Sequence, residues 1–496
     1  MAEAMHKPLL LALAAFLAAA GCTKAPEPAP ILAVAAIAGS QDAEIAAFYA
    51  ARGGRPLWIN QGGERRLLEI LATSWSDGFD PARYRVAEIA AALGAADPAS
   101  LARADLLLTE AWVRYRQDLA APAAAARPVY AEDGLAPAPE SAKTILEAAA
   151  AAPDARRHAD EARRVNAVYD GLRDGFADYR RRWSALPQVQ LPASPSAEAL
   201  RRRLGLRGGD PVDAALRRFQ RVHGLVQTGA ADPATVAALN LGAGHYERIL
   251  RANLERARAV APQRGRFVLV DTAAARVWMF EGGRAAGTMR AIVGKRGMET
   301  PALAGRLRYA VLNPYWNVPV DLARQRAQRV LREGTGVLAR ERLQILSQFH
   351  AEDRVLSPAS VNWGRVAAGR EPLRLRQLPG GANVMGAVKF MMPNGLDIYL
   401  HDFPDKALFA SADRRISSGC VRLEDAQAFG RWLFGGTAPA PSGPAPEQRV
   451  DVPAPVPVYI GYFTAVPDNG AIAFQADPEG RDAALIAALA GERRGA

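Results

Sequence analysis

Two residues in the last quarter of the chain carry the most chemical promise. Cys420 lies in Ser417-Ser418-Gly419-Cys420-Val421-Arg422, and His401 ends Leu396-Asp397-Ile398-Tyr399-Leu400-His401, nineteen positions earlier. A thiol has an ordinary pKa of about 8.5, and only its thiolate attacks a carbonyl well. A neighbouring imidazole removes that proton and later returns one to a leaving amine. Gly419 allows the backbone to approach a substrate closely. The N–H groups around Gly419 and Cys420 are natural donors to the oxyanion of a tetrahedral intermediate. Arg422 adds a fixed positive charge, which either steers a substrate carboxylate or braces the loop. Taken singly, Cys420 reads as a buried small hydrophobe and His401 as a satisfied structural histidine. Taken together, with glycine before the sulfur, they favour cysteine acyl chemistry.

The rest of the composition narrows the field. The chain has 496 residues, half of them hydrophobic and 23% charged, which is the balance of two to four folded units. Wholesale disorder and a multi-span membrane protein are excluded. Two cysteines rule out a disulfide framework and a Cys-rich metal site, and six scattered histidines show no His-Glu-x-x-His pattern. No metal or other cofactor is expected. The net charge of +11 admits nucleic acid, anionic lipid or polyanionic envelope material as partners. No groove-reading or base-stacking motif occurs, so nucleic acid is set aside. Composition says nothing about oligomeric state.

Residues 1–22 read MAEAMHKPLLLALAAFLAAAGC. A lysine flank precedes an apolar run too short to span a bilayer, as in an export signal. The run ends Ala19-Ala20-Gly21-Cys22. This resembles a bacterial lipoprotein signal, in which Cys22 is acylated and anchors the protein to the outer membrane, although plain signal cleavage remains open. A Pro/Ala-rich tether, residues 23–39, follows. With Cys22 acylated or removed, Cys420 is the only thiol, which is uncommon in an oxidising compartment. The expected location is the periplasm.

Elements must position this pair. Alternation along Leu396–His401 turns Ile398 and Leu400 to one face and Tyr399 and His401 to the other. Phe267–Val270, Val277–Phe280, Met289–Val293, Leu307–Leu312 and Val384–Met391 also read as strands, with Glu281-Gly282-Gly283 as a hairpin turn. Within this β-rich stretch, residues 321–378 read as a basic, helical insertion carrying Arg324, Arg326, Arg329 and Arg332. Such an insertion is a lid or a solvated hairpin. After a Pro-rich linker, VPVYIGYFTAV returns to the sheet. Residues 40–195 are helical, with Leu108, Trp112, Tyr115 and Leu119 on one stripe and Tyr169, Leu172, Phe176, Tyr179 and Trp183 on another. Ser141 to Arg164 reads as a helix over solvent. In residues 197–241, Val212, Leu216, Phe219 and Val222 form one helix face, with Asp210 as cap and Gly224 as stop, and Asp232-Pro233 starts a second helix.

AALRRFQRVHGLVQTGAADPATVAALN resembles the small three-helix peptidoglycan-binding module of cell-wall enzymes, in which His223 either touches a sugar or caps its helix. His401 with Ser417, Gly419, Cys420 and Arg422 resembles the signature of the L,D-transpeptidase (YkuD-type) catalytic domain. Ser418 stands where many members carry a second histidine. Asn313-Pro314-Tyr315-Trp316-Asn317-Val318-Pro319, Arg376-Gln377-Leu378-Pro379-Gly380 and Val388-Lys389-Phe390 resemble the larger YcbB-like branch. The resemblance implies a multidomain chain: a helical scaffold (40–195), a peptidoglycan-binding-like module (197–241) and a β-rich catalytic domain (264–496) with its insertion. It further implies that Cys420 attacks the L-centre carbonyl of the diamino acid in a tetrapeptide stem and expels D-Ala. A neighbouring stem amine then resolves the thioester into a 3→3 crosslink. His401 is base and acid, and Gly419 supplies an oxyanion N–H. Arg422, Ser417, Ser418, Tyr399 and Trp316 line the substrate. Stem peptides and glycan are the implied partners. Hydrolysis by the same site, an L,D-carboxypeptidase, and a non-catalytic wall-binding scaffold are the competing readings.

Overall fold

The computed structural model describes residues 40–495, apart from residues 41, 60–61, 96, 264 and 348–353. The expected signal, Cys22 and the tether lie outside the described residues. The chain forms two compact units: a first of the residues up to 127 with 136–263 and those from 463 on, and a second of residues 128–135 with 264–462.

The first unit is helical: α1 (Ala43–Ala51), α2 (Gly63–Ala72), α3 (Val86–Ala95), α4 (Pro98–Ala120), α5 (Ala142–Ala151), α6 (Ala155–Ala162), α7 (Ala167–Tyr179), α8 (Ala197–Arg203), α9 (Val212–Val222) and α10 (Pro233–Arg258). Both aromatic stripes are core faces: Trp112, Tyr115, Tyr169, Leu172 and Phe176 are fully buried. Two buried carboxylates organise this core. Asp105 accepts the backbone N–H groups of Leu57, Trp58 and Ile59 and the Tyr49 hydroxyl, and Asp77 accepts the hydroxyls of Tyr115 and Tyr169. The expected single helix from Ser141 to Arg164 is instead two, α5 and α6, because Pro153 offers no N–H to continue the first. Ile145 and Leu146 bury its inner face.

In the peptidoglycan-binding-like module, α9 and α10 pack Leu216, Phe219, Val236 and Leu239 with Leu191, Leu200 and Leu204. Asp232 caps α10 through the Thr235 N–H, with Pro233 at its first turn. Asp210 is not the cap of α9, which begins behind Pro211. Its carboxylate accepts the Arg207 N–H and closes the preceding turn. Gly242 (φ 73°, ψ 165°) breaks α10 after the module.

The C-terminal boundary differs from the expected 264–496, because residues 463–496 belong to the helical unit. The hairpin Ala465–Asp468/Ala471–Phe474 lies on α7, where two glycines make room for it. A Cβ at Gly171 would meet Pro467 Cγ at 2.6 Å, and one at Gly175 would meet Ile472 Cδ1 at 2.6 Å. The final helix, Arg481–Gly495, is tied down by a buried Arg256–Asp482 ion pair at 2.6 Å.

The second unit is a closed sheet. Its strands are β1 (Val129–Tyr130), β2 (Phe267–Asp271), β3 (Arg276–Glu281), β4 (Arg284–Gly294), β5 (Leu303–Leu312), β6 (Trp316–Val318), β7 (Leu343–Leu346), β8 (Val355–Leu356), β9 (Arg374–Gln377), β10 (Val388–Met391), β11 (Leu400–His401), β12 (Arg415–Ser417), β13 (Val421–Leu423) and β14 (Gln448–Gly461). The order β5-β10-β11-β13-β4-β3-β2-β14 is completed by pairing of β14 with β5, so the sheet closes on itself and leaves fewer open edges. β2 is buried at all five positions, as expected for a strand covered on both faces. Gly282 and Gly283 both take left-handed φ, as a tight β3–β4 hairpin demands. The β14–β5 register slips between Asp451 and Val456, where Pro453 and Pro455 have no N–H to give the ladder. Val268, Val277, Leu307, Phe390, Leu400 and Val421 form the core with Phe429 and Leu433 of a helix, Ala426–Leu433, whose N-cap is Asp425.

The insertion is not purely helical. Helices Val320–Glu333, Gly336–Arg340 and Trp363–Ala367 pack on a second sheet ordered β6-β9-β7-β8, around a core of their own. Its arginines are largely paired: Arg326 and Arg329 with Glu341, Arg329 and Arg340 with Glu333.

Candidate active site

The Cys420–His401 pair is placed by a short ladder. β11 and β13 run parallel, with Leu400 opposite Val421 and His401 opposite Arg422, and the Val421 N–H donates to the Tyr399 carbonyl at 3.1 Å. Leu400 and Val421 point into the core and are fully buried. Alternation sends Tyr399, His401, Cys420 and Arg422 to the opposite face as a two-by-two array. Cys420 stands beside Tyr399, Arg422 beside His401, and Cys420 diagonal to His401. The regular strand is only Leu400–His401, shorter than the expected Leu396–His401. Residues 396–399 form a loop, stapled by Asn394, whose amide donates to Met392 O and Ile398 O and accepts from Leu396 and Ile398 N–H. Tyr399 and His401 nonetheless share a face, with ring centroids 5.8 Å apart.

His401 is buried and donates Nδ1–H to the carbonyl of Asp402 at 2.6 Å. A carbonyl only accepts, so this bond fixes the tautomer and leaves Nε2 unprotonated. Burial first, and the Arg422 charge second, lower its pKa to about 3, against the opposing pull of the Asp402 and Met385 backbones. Asn383 anchors the turn that presents Met385: its amide donates to the carbonyls of Pro314 and Leu378, and its oxygen accepts the Met385 N–H at 2.7 Å.

The half-buried Cys420 thiol points its proton at the Asp397 carbonyl, Sγ to O 3.7 Å. Burial raises its pKa, opposed by hydrogen bonds from the Tyr399 backbone and side chain and by the Arg422 charge. Burial, then the Cys420 charge, pushes the Tyr399 hydroxyl well above its usual value. The resting site is therefore a neutral thiol and a neutral imidazole. Tyr399 touches both, and its ring also packs on the core of the insertion. The Arg422 guanidinium lies over the Phe403 ring at 4.2 Å, with a buried Nε that has no hydrogen-bond partner among the described residues. Burial lowers its pKa.

The other expected site residues divide. Ser417 is 2% exposed and faces inward: its Oγ donates to the Cys420 carbonyl at 2.7 Å and accepts the Gly419 N–H at 3.1 Å. It holds the loop rather than lining a substrate surface. The same bond commits the Gly419 N–H, expected to face an oxyanion, to Ser417. Among the described residues, the Cys420 N–H has no acceptor and is the available donor. Gly419 has φ +120°, which suits glycine alone. Ser418 is exposed at the rim. Trp316 is 8% exposed and sits in the core of the insertion under the Arg326 guanidinium, so it is a packing residue and not a wall of the site. Asn394, Asn383 and Thr300, discussed below, escaped the sequence reading. Their only signals were the turn-forming runs Pro393-Asn394-Gly395 and Gly380-Gly381-Ala382-Asn383.

His223 has no free face. It stacks on Phe219 at 3.8 Å between centroids and contacts Tyr246 and Phe474, with Nδ1 on the Phe219 carbonyl and Nε2 3.2 Å from the Tyr179 hydroxyl. It fastens the end of α9 and does not read a sugar. Gln220, fully buried, donates to Thr228 Oγ1, Ala230 O and Thr235 Oγ1 and accepts the Gly229 N–H. The motif residues of the module thus make its turn.

Three family profiles match. Residues 43–175 match a scaffold domain, residues 206–239 a peptidoglycan-binding domain, and residues 265–458 the L,D-transpeptidase catalytic domain of the YkuD family. A protein of Haemophilus influenzae named as an L,D-transpeptidase is 31% identical over 199 residues, or 39% of this chain and 40% of that relative's length. An L,D-transpeptidase structure from Mycobacterium smegmatis aligns at 12% identity with a TM-score of 0.20, covering 39% of this chain and 58% of that one. One from Xylanimonas cellulosilytica aligns at 16% with a TM-score of 0.16, covering 55% and 98%. The likeness to both structures is slight. The profile match over the closed sheet and its cysteine loop makes residues 265–458 an L,D-transpeptidase catalytic domain of the YkuD family, in a chain that also carries a scaffold domain and a peptidoglycan-binding domain.

Proposed function

We propose that this chain is a peptidoglycan L,D-transpeptidase that uses Cys420 as nucleophile and His401 as the proton carrier. The single observation that carries the reading is the array of Tyr399, His401, Cys420 and Arg422 on one face of β11 and β13, inside a domain of that family. The Cys420 proton passes to the His401 Nε2 as Sγ bonds to the carbonyl carbon of the third stem residue. The oxyanion takes a hydrogen bond from the Cys420 N–H. Collapse breaks the amide C–N bond, and the departing D-Ala amine collects the proton from Nε2. In the second half, the side-chain amine of a neighbouring stem attacks the thioester, gives a proton to Nε2, and the sulfur leaves and is reprotonated. The product is a 3→3 crosslink. Tyr399, which reaches both Cys420 and His401, supports proton passage across the diagonal. Arg422, a half-buried cation without a carboxylate partner among the described residues, is suited to a substrate carboxylate. We further propose that residues 1–22 direct export to the periplasm and that Cys22 is the anchoring position.

The test is incubation of the purified chain with tetrapeptide-bearing wall fragments, followed by mass spectrometry. A Cys420 thioester, released D-Ala and dimeric stems are expected, and all three are lost in Cys420→Ala. D-Ala release without dimers would make the site a carboxypeptidase. Product formation undiminished in Cys420→Ala would reject an enzyme of this kind.

A further inference from the structure

The loop between β4 and β5 sends one side chain beneath the cysteine turn. Thr300 is 2% exposed, accepts the Gly294 N–H at 2.9 Å and donates its own hydroxyl proton to the Gly419 carbonyl at 2.7 Å. The backbone folds tightly to bring it there. A Cβ at Gly294 would collide with the Met298 carbonyl and the backbone of Glu299 and Thr300. The same loop is joined to the cysteine turn a second time, by the Lys295 N–H on the Ser417 carbonyl at 2.9 Å.

A trans peptide directs its C=O and N–H to opposite sides. Holding the Gly419 carbonyl inward on Thr300 therefore turns the Cys420 N–H of the same peptide outward. With the Gly419 N–H and the Cys420 carbonyl both bound to Ser417, every polar backbone group of this dipeptide is fixed except that one. Gly419 at φ +120° has the freedom to flip, so an anchor for its carbonyl has work to do.

We infer that Thr300 is a positioning residue for the oxyanion site: its hydroxyl sets the Gly419–Cys420 peptide so that the Cys420 N–H meets the developing negative charge. This rests on the transpeptidase reading above. It separates two properties of the same sulfur. Acyl transfer needs the aimed N–H, because charge develops on a carbonyl oxygen. Alkylation by iodoacetamide displaces iodide at a methylene carbon and needs only the thiolate.

The experiment compares wild type, Thr300→Val and Thr300→Ser. Each is tested for acyl-enzyme formation with a tetrapeptide-bearing wall fragment in single turnover, and for alkylation of Cys420 by iodoacetamide. Thr300→Val is expected to slow acylation at least about tenfold, less than the roughly 10²–10³-fold cost of deleting an oxyanion donor outright, with alkylation within about twofold of wild type at matched pH. Thr300→Ser, which keeps the hydroxyl, restores most of the acylation rate. Unchanged acylation in Thr300→Val overturns the inference, as does a parallel fall in both reactions or equal losses in the valine and serine variants. Wild type that alkylates but never acylates overturns the transpeptidase reading itself, and this inference with it.

Discussion

The His401 imidazole is oriented by the carbonyl of its own neighbour, Asp402, and not by a carboxylate. The Asp402 side chain turns elsewhere, accepting the Ala387 N–H at 2.9 Å and pairing with Lys406 at 2.7 Å. Asp402→Asn keeps the backbone carbonyl and is expected to leave kcat/KM nearly unchanged. His401→Gln removes the base and is expected to lower it by roughly 10²–10⁴-fold. Steady-state assays of D-Ala release read both. A loss in Asp402→Asn as deep as that in His401→Gln would mean that the carboxylate, and not the carbonyl, is the orienting group.

The neutral ground state makes a statement about pH. With the His401 pKa near 3, the imidazole is an available base throughout the neutral range, and the thiol stays protonated because burial raises it. The acid limb of kcat/KM is therefore expected far below the usual histidine value of about 6.5. In Arg422→Met that limb moves to higher pH, since the Arg422 charge is one of the two causes that hold His401 low. Rates of D-Ala release measured from pH 3.5 to 9 decide it. A wild-type limb centred near 6.5 would contradict this ground state.

Alkylation gives an independent view of the sulfur. A raised thiol pKa predicts that the iodoacetamide rate of the resting protein keeps climbing through pH 9. A plateau already present at neutrality, the mark of a thiolate–imidazolium pair, would rule out the neutral pair. Tyr399→Phe removes a hydrogen bond that lowers the thiol pKa, so the curve should shift to still higher pH.

His223 links the module's stability to pH. Burial lowers its pKa to about 3, whereas an unfolded histidine titrates near 6.5. Unfolding then takes up a proton, so the contribution is complete above about pH 6.5 and is lost as pH falls toward 3. Its slope is at most about 1.4 kcal/mol per pH unit. Protection factors of residues 212–222, corrected for the slower intrinsic exchange at low pH, are expected to fall on acidification in wild type and to do so less steeply in His223→Phe. Identical pH dependence in the two would show that His223 is not the titrating group.

Gln220 offers a test within the same module. Gln220→Leu removes the partner of the half-buried Gly229 N–H and of the Ala230 carbonyl. A destabilisation of about 2 kcal/mol is expected from the loss of two such hydrogen bonds, read as faster exchange along α9. A loss below 1 kcal/mol, the scale of one ordinary hydrogen bond, would show that water or a neighbour replaces the amide.

The sequence by itself determined what depends on local pattern and residue chemistry. The cysteine with glycine before it, the histidine on a strand, the face shared by Tyr399 and His401, the glycine hairpin, the buried helical stripes and the Asp232-Pro233 helix start follow from spacing and steric rules that act over a few residues. Only tertiary structure decided what depends on which distant groups meet. The closure of β14 on β5, the return of residues 463–496 to the helical unit and the small sheet inside the insertion are long-range pairings that no local period encodes. The same holds at the site. Whether Trp316 lines a wall or a core is set by apolar side chains gathered from across the insertion, and Ser417 and the Gly419 N–H meet only because the loop is held in its turn. Thr300, 119 residues before Gly419 in sequence and 2.7 Å from its carbonyl in space, shows why: buried polar groups must find partners, and folding brings those partners from anywhere.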